Sequence, residues 1–308
     1  MIKQFAFIIT LFSASMAFAV EKNSTPYILV LGIAQDGGYP HMGCKRKCCS
    51  IAWTNASKRN YVVSLALVDP KNKKWWLFEA TPDVKEQLQY FQMLTNQQYR
   101  YLPDGIFITH AHIGHYAGLM QLGREVMGAK EVPVYVLPKL YTFLATNGPW
   151  NQLINLQNIT LQPLQNEHAV ILANGISILP FTVPHRDEYS ETAGYRIYTA
   201  AKSYLFIPDI NKWDKWEKKI TEEVNAVDIA FVDATFYNET ELPGKRISEV
   251  PHPFVAETMQ LFEQTGIKTK NKIHFIHLNH TNPLLWNTQQ QELIRNMGYN
   301  IAQKGRTY

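Results

Sequence analysis

Three of the ten histidines in this 308-residue chain lie within six residues, as His110, His112 and His115. They follow a short apolar run, Gly105–Thr109, and precede a segment that we expect to be helical, Tyr116–Met127. Residues two apart on a strand point to the same side, so the strand end delivers the first two side chains together. Three imidazoles that converge at a strand end usually share a metal ion. The motif therefore predicts a metal site at the junction of a strand and a helix.

Three later residues follow apolar, strand-like runs in the same way and are candidates for the remaining ligands. They are His185, Asp209 and His277. Strand alternation places His274 and His277 on opposite faces, so at most one of them faces the metal. His277 lies nearer the strand end and is the better candidate. Strand-like and helix-like segments alternate along the whole chain, which indicates one layered α/β domain.

A second cluster contains all three cysteines, Cys44, Cys48 and Cys49, and the nearby His41. A protein stabilised by disulfides normally has an even number of cysteines spread along the chain. Four soft or borderline ligands within nine residues instead suit a closed tetrahedral zinc site. We predict a structural zinc here. A disulfide from Cys44 that leaves one free thiol is the alternative.

The composition, 46% apolar and 18% charged residues, is that of an ordinary globular protein. The net charge of +4 is small and dispersed, and the densest basic run is only Lys45–Lys47. This charge distribution argues against nucleic-acid binding. We expect a small-molecule substrate, and the sequence does not predict an oligomeric state.

The first nineteen residues are typical of a secretory signal. Lys3 supplies the positive end, Phe5–Phe12 the apolar stretch, and Ala17–Ala19 a cleavage site of small residues. No later stretch reaches the roughly 18 apolar residues that a spanning helix needs. We therefore expect a signal peptide at 1–19 and a single domain at 20–308, exported to the periplasm or secreted.

The order of these ligands resembles the metallo-β-lactamase superfamily. Further stretches resemble its branch that contains pyrroloquinoline quinone (PQQ) biosynthesis protein B, and they include Leu31–Pro40, Ala80–Asp83, Val232–Phe236 and Ile276–Pro283. The resemblance implies a four-layer αββα sandwich with a two-metal site between the sheets. It implies one metal on His110, His112 and His185, a second on His115 and His277, and Asp209 as the bridge.

One position departs from the family pattern. The family usually has Asp directly before the last histidine of the motif, and this chain has Gly114. The change removes one ligand and one negative charge from the second metal. We therefore expect that metal to be weakly held, exchangeable or absent.

The resemblance implies a hydrolase, which we expect to cleave a phosphodiester or other ester with a metal-activated water. His252 resembles the histidine that phosphodiesterase-type members place near the scissile bond, and it is the candidate proton donor. Asp233 would orient His252, and His280 is the rival donor. Either Asp209 orients the water or the metal alone suffices. One or two catalytic zinc ions are expected, with iron or manganese as alternatives at the histidine site. An iron-dependent oxygenase related to PQQ biosynthesis and a non-catalytic metal-binding protein are the alternative functions.

We expect the exported protein to begin at Val20, because cleavage of the signal should follow Ala19. Mass spectrometry of the protein from a periplasmic or culture fraction measures this directly. An Ala19→Phe variant, which lacks the small residue, should remain uncleaved. A wild-type chain that keeps Met1 and stays in the cytosol would contradict the prediction.

Overall fold

Two mixed sheets form the centre of this computed structural model, which describes residues 25–242, 244 and 250–308. The expected signal segment lies outside the described residues. The first sheet has its strands in chain order: β1 (Tyr27–Gly32), β2 (Ser64–Asp69), β3 (Lys74–Phe78), β4 (Gly105–Phe107), β5 (Val132–Val136) and β6 (Ile159–Pro163). The second also follows chain order: β7 (Val170–Ala173), β8 (Ile176–Val183), β9 (Thr192–Tyr198), β10 (Ser203–Ile207), β11 (Ile229–Asp233), β12 (Ile273–Ile276) and β13 (Asn300–Ile301).

Helices connect the strands and cover the outer faces of the sheets. They are α1 (Lys47–Thr54), α2 (Val84–Leu94), α3 (Ile113–Tyr116), α4 (Pro138–Thr146), α5 (Trp150–Asn155), α6 (Ile220–Asn225), α7 (Val255–Leu261), α8 (Ile267–Lys270) and α9 (Thr288–Asn296). Residues of α2, α4 and α5 share one buried cluster with the first sheet, and residues of α6, α7 and α9 share another with the second.

The core between the sheets follows from alternation along the strands. In β1, Ile28 and Val30 belong to the buried cluster that includes the second sheet, whereas Leu29 and Leu31 belong to the cluster that includes α2, α4 and α5. Aromatic rings join the two sheets directly: Phe78 of β3 lies 5.5 Å from Tyr195 of β9 and 6.0 Å from Phe206 of β10, between ring centroids. The expected αββα sandwich is confirmed.

Strand direction explains why the candidate ligands meet. β1 and β3 are both antiparallel to β2, and β4 is parallel to β3. In the second sheet β8 and β10 are both antiparallel to β9, and β11 and β12 continue parallel to β10. Thus β1, β3 and β4 share one direction in the first sheet, and β8, β10, β11 and β12 share one direction in the second. The segments that follow the carboxyl ends of these seven strands carry the candidate ligands. Carboxyl ends of open α/β sheets commonly form binding crevices.

The prediction of a helix over Tyr116–Met127 is wrong. The structure has only the short α3, followed by a 3₁₀ turn over Ala117–Leu122. Gly118 donates its backbone N–H to Ala80 O at 2.8 Å, so a contact with another segment replaces a helical hydrogen bond. No helix in the described part of the chain has the length and hydropathy to cross a bilayer.

Candidate metal centres

The first donor set contains His110, His112, His185 and Asp209. His112 Nδ1 lies 2.8 Å from His110 Nε2 and 3.2 Å from His185 Nε2. Asp209 Oδ2 lies 3.4 Å from His110 Nε2 and 3.2 Å from His185 Nε2. Ligands about 2.0–2.1 Å from a tetrahedral zinc lie about 3.3–3.4 Å from one another. The four atoms are therefore spaced to hold one such ion.

The second donor set contains Asp36, His115 and His277. Asp36 Oδ1 lies 3.3 Å from His115 Nε2 and 3.8 Å from His277 Nε2. Asp209 Oδ2, already part of the first set, lies 3.7 Å from His115 Nε2. Asp209 therefore stands between the two sets, as the family resemblance implies for a bridging carboxylate.

Unpaired buried atoms indicate that the second set is built for a cation. Asp36 Oδ1, His115 Nε2, Asp209 Oδ1 and His277 Nε2 are buried and have no hydrogen-bond partner. Buried polar atoms are nearly always paired, and an unpaired group implies a missing water or ion. The second set therefore fits a metal ion.

A further group of possible ligands contains Asp209, Asp233, His252 and His277, and three of these residues are hydrogen-bonded there without an ion. His252 Nδ1 hydrogen-bonds Asp233 Oδ2 at 2.9 Å, and Thr235 Oγ1 hydrogen-bonds His277 Nδ1 at 2.9 Å. Thr235 therefore orients the ligand His277 through its Nδ1, and Asp233 holds His252 in place.

Two threonines hold ligand histidines in the same manner. Thr109 Oγ1 lies 2.9 Å from His110 Nδ1 and donates to the buried Glu79 at 2.6 Å. Thr235 Oγ1 contacts His277 Nδ1 and donates to Asp233 Oδ1 at 2.7 Å. In each case the hydroxyl can accept a hydrogen bond from the imidazole while it donates to a carboxylate. Such outer partners fix the ring orientation and raise ligand basicity.

Glu79 also contacts His115 directly, with Oε1 3.1 Å from Nδ1. Glu79 and His277 directly follow β3 and β12, and both adopt left-handed backbone conformations, with φ of 71° and 62°. Residues other than glycine in such conformations cost about 1–3 kcal/mol each and concentrate at functional sites. Here the left-handed turn occurs where a ligand or its carboxylate partner leaves the sheet.

Burial and neighbouring charges shift the pKa values of His110, His115 and Asp209 in the site. Burial lowers the pKa of His110, and the charge of His115 lowers it further, which favours the neutral imidazole that binds metal. Burial opposes ionisation of Asp209, but the charges of His185 and His252 outweigh burial and hold its pKa well below the usual value. Burial likewise opposes protonation of His115, but the charge of Glu79 raises its pKa well above the usual value.

His252 is buried directly before α7 and beside Asp209. Its Nδ1 lies 2.9 Å from Asp233 Oδ2 and 3.2 Å from Asp209 Oδ1. Burial lowers the pKa of His252, but the charges of Asp233 and Asp209 outweigh burial and raise the pKa to about 10. With Nδ1 held by Asp233, the proton available for transfer belongs to Nε2.

The cysteine cluster lies outside this centre and differs from the sequence prediction in one ligand. Cys44, Cys48 and Cys49 gather with His280, not with His41. The His41 ring stacks on His280 with centroids 4.3 Å apart, and its Nδ1 contacts Met42 O at 2.9 Å. The chain segment after β12 therefore offers the fourth candidate ligand, and His280 lies with the cysteines rather than with the two histidine sets.

The thiols are free and are spaced for a metal. Cys44 Sγ and Cys48 Sγ lie 3.8 Å apart, against about 2.05 Å in a disulfide. Thiolates about 2.3 Å from a tetrahedral zinc lie about 3.8 Å apart. The spacing favours the zinc prediction over the disulfide.

The structure gathers all six ligands predicted for the histidine centre but not His41, and it places His274 elsewhere, against Phe231 and Tyr308. Sequence reasoning missed Asp36, His280 and the outer partners Glu79, Thr109 and Thr235. Thr109 and Thr235 sit one and two residues from predicted site positions, so their proximity was a usable signal. Asp36 and His280 lie in loops, inside the stretches Leu31–Pro40 and Ile276–Pro283 that resemble the family, but no strand pattern marks them as ligands.

Comparison with known proteins agrees with this geometry. A family model described as a beta-lactamase superfamily domain matches residues 74–275. The chain belongs to this family. Its relatives include coenzyme PQQ synthesis protein B of Methylorubrum extorquens strain PA1, 24% identical over 91% of this chain and 99% of that protein. The same protein of Xanthomonas oryzae pv. oryzae strain MAFF 311018 is 26% identical over 90% of this chain and 98% of its own length. The expected branch is confirmed.

Solved structures share the fold. Zn²⁺-bound PqqB from Methylobacterium extorquens superposes with a TM-score of 0.72 at 21% identity, covering 92% of this chain and 99% of that one. A diphosphatase of the PhnP family gives a TM-score of 0.63 at 21% identity, covering 92% and 96%. Human tRNase Z, short form, gives 0.55 at 13% identity, covering 92% and 98%.

We expect about three metal ions per purified chain, two on the histidine sets and one on the cysteine set. His112→Ala should remove about one ion by breaking the first set, and Cys48→Ala should remove about one from the cysteine set. Elemental analysis measures both losses. His168→Ala changes a histidine outside every donor group and should retain all ions. An unchanged metal content in His112→Ala would count against the first site.

Proposed function

We propose that this chain is a metal-dependent hydrolase that cleaves a phosphodiester or a related ester. The observation that carries the proposal is the placement of His252 beside Asp209, which both donor sets share. A carboxylate between two cation sites and a buried, carboxylate-held histidine provide the parts that hydrolysis requires.

Asp209, Asp233 and His252 have separate roles in the proposed reaction. A divalent metal at these sets supplies Lewis acidity and an activated water nucleophile. Asp209 holds negative charge between the donor sets and can orient the attacking water. Asp233 fixes the His252 ring, so that Nε2 can protonate the leaving oxygen. A cation bound by Asp209 would offset its charge and bring the pKa of His252 down towards neutrality.

A pocket of about 700 Å³ adjoins the centre, and its lining includes Asp36 and His112. Its lining also includes aromatic side chains, and Tyr116 stacks on Trp150 with ring centroids 5.0 Å apart. Arg186 is the cation among the lining residues. An apolar or aromatic group could pack on these rings while Arg186 meets a phosphoryl oxygen, since the guanidinium group matches phosphate geometry. The pocket therefore supports a small-molecule phosphoester as substrate.

The named activities of structural neighbours support the same class of reaction. They include a diphosphatase and a tRNase Z. The small and dispersed net charge of this chain gives no support for an RNA substrate. The small phosphoester is therefore the better proposal.

We expect His252→Gln to lower kcat by about 10²–10⁴-fold on a phosphodiester, because it removes the proton donor. The loss should be larger for a phenyl than for a p-nitrophenyl leaving group, which departs without protonation. Steady-state kinetics on both substrates measures the difference. Metal content should stay at the wild-type value, and His168→Ala should keep full activity. Equal losses for both leaving groups would show that His252 is not the donor.

A role in PQQ synthesis is the second candidate, favoured by relatives of that name across nearly the whole chain. Imidazoles and a carboxylate also bind iron, so an oxygenase would use the same residues. Iron in the histidine sets and oxygen consumption that His112→Ala abolishes would favour this role. Zinc in those sets and phosphodiester turnover would contradict it. Bound metal without turnover of either kind would indicate a metal-binding protein.

A further inference from the structure

The side chain missing at Gly114 has its space filled from another loop. A Cβ added at Gly114 would lie only 2.0 Å from Asp36 Oδ1 and 2.6 Å from Asp36 Cα. An aspartate at position 114 therefore cannot coexist with the present loop. Conversely, the Asp36 carboxylate lies where a side chain grown from Gly114 would reach.

We propose that Asp36 supplies the carboxylate that the histidine motif lacks at Gly114, and that it completes the second metal site with His115, His277 and Asp209. This inference rests on the metal-dependent hydrolase proposed above. It replaces the expectation that Gly114 leaves the second metal weak or absent.

The contacts of the Asp36 carboxylate favour a ligand role over a structural one. Oδ2 accepts a hydrogen bond from Gln35 Nε2 at 3.3 Å. Oδ1 is buried and faces His115 Nε2 and His277 Nε2 without a hydrogen bond to either. All three atoms lie within 4.8 Å of one another. A carboxylate with one oxygen held and the other free among imidazole nitrogens is prepared for a cation.

Backbone pairing holds Asp36 in this position. Gln35 N donates to Leu278 O at 2.9 Å, and Leu278 N donates to Ile33 O at 2.9 Å. Leu278 directly follows the ligand His277, so the pairing ties the Asp36 loop to the loop of a second-site ligand. A fixed backbone is what metal ligands require, because the ligand atoms must keep their positions within a few tenths of an ångström.

The test compares metal affinity with the stability of the metal-free protein. Asp36→Asn keeps the shape of the side chain but removes its charge. We expect it to weaken the second histidine-site metal by more than the about 10–100-fold that loss of an outer partner costs. The first site should keep its zinc. Titration of the apoprotein with Zn²⁺ against a chromophoric chelator measures both affinities.

Gly114→Ala provides an independent variant, because the added methyl collides with Asp36 and displaces it while the carboxylate remains in the chain. It should also weaken the second metal and spare the first, and the retained first metal shows that the variant has folded. Glu222→Gln, which removes an exposed carboxylate paired with Lys219, is the control and should bind as wild type.

The outcomes separate the possible roles. Second-site affinity at the wild-type value in both variants would overturn the proposal. A lower melting temperature of metal-free Asp36→Asn, with unchanged metal affinity, would make Asp36 a structural residue and also overturn it. A wild-type protein that binds no metal on either histidine set would instead overturn the proposed function.

Discussion

The buried carboxylate of Asp209 is the group on which the arrangement of the site depends. Only 2% of the residue is exposed, and Oδ2 lies 3.2–3.7 Å from three imidazole nitrogens that belong to both donor sets. A buried carboxylate is costly unless it is paired or coordinates a metal. A metal ion on each side would compensate its charge and fill the space between the nitrogens. The donor atoms around Asp209 are therefore arranged as metal ligands.

The sandwich supplies what a preorganised site needs, which is ligands on rigid strand ends and partners behind them. The Glu79–Thr109 pair holds a ligand of the first sheet, and the Asp233–Thr235 pair holds a ligand of the second. Glu79 follows β3 and is bonded to Thr109 in the segment after β4. Asp233 ends β11, and its partner Thr235 contacts His277 in the segment after β12. The packing that orders the sheets therefore also orients the imidazoles.

Local patterns predicted most of the site and less of the fold. His110, His185 and Asp209 were identifiable because each follows an apolar run within a few residues, and such runs become strands. The sandwich came from the family resemblance, and the sheet order was not predicted, since pairing between distant segments has no local signal. Asp36 was missed for the same reason, because its role depends on the pairing of Gln35 with Leu278. His41 was chosen as a ligand for its nearness to Cys44 in sequence, yet its ring stacks on His280.

The pairing of Gln35 with Leu278 gives the cysteine cluster a second role. The loop after β1, together with the start of α1, carries Asp36 and the three cysteines, and the loop after β12 carries His277 and His280. A zinc ion on the cysteine cluster would cross-link these two loops a few residues from the second histidine-site metal. Ordering both loops for one ion lowers the entropic cost of ordering them for the other. Because such coupling is reciprocal, a zinc ion on the cysteine cluster and a metal ion on the second histidine set should each raise the affinity of the other.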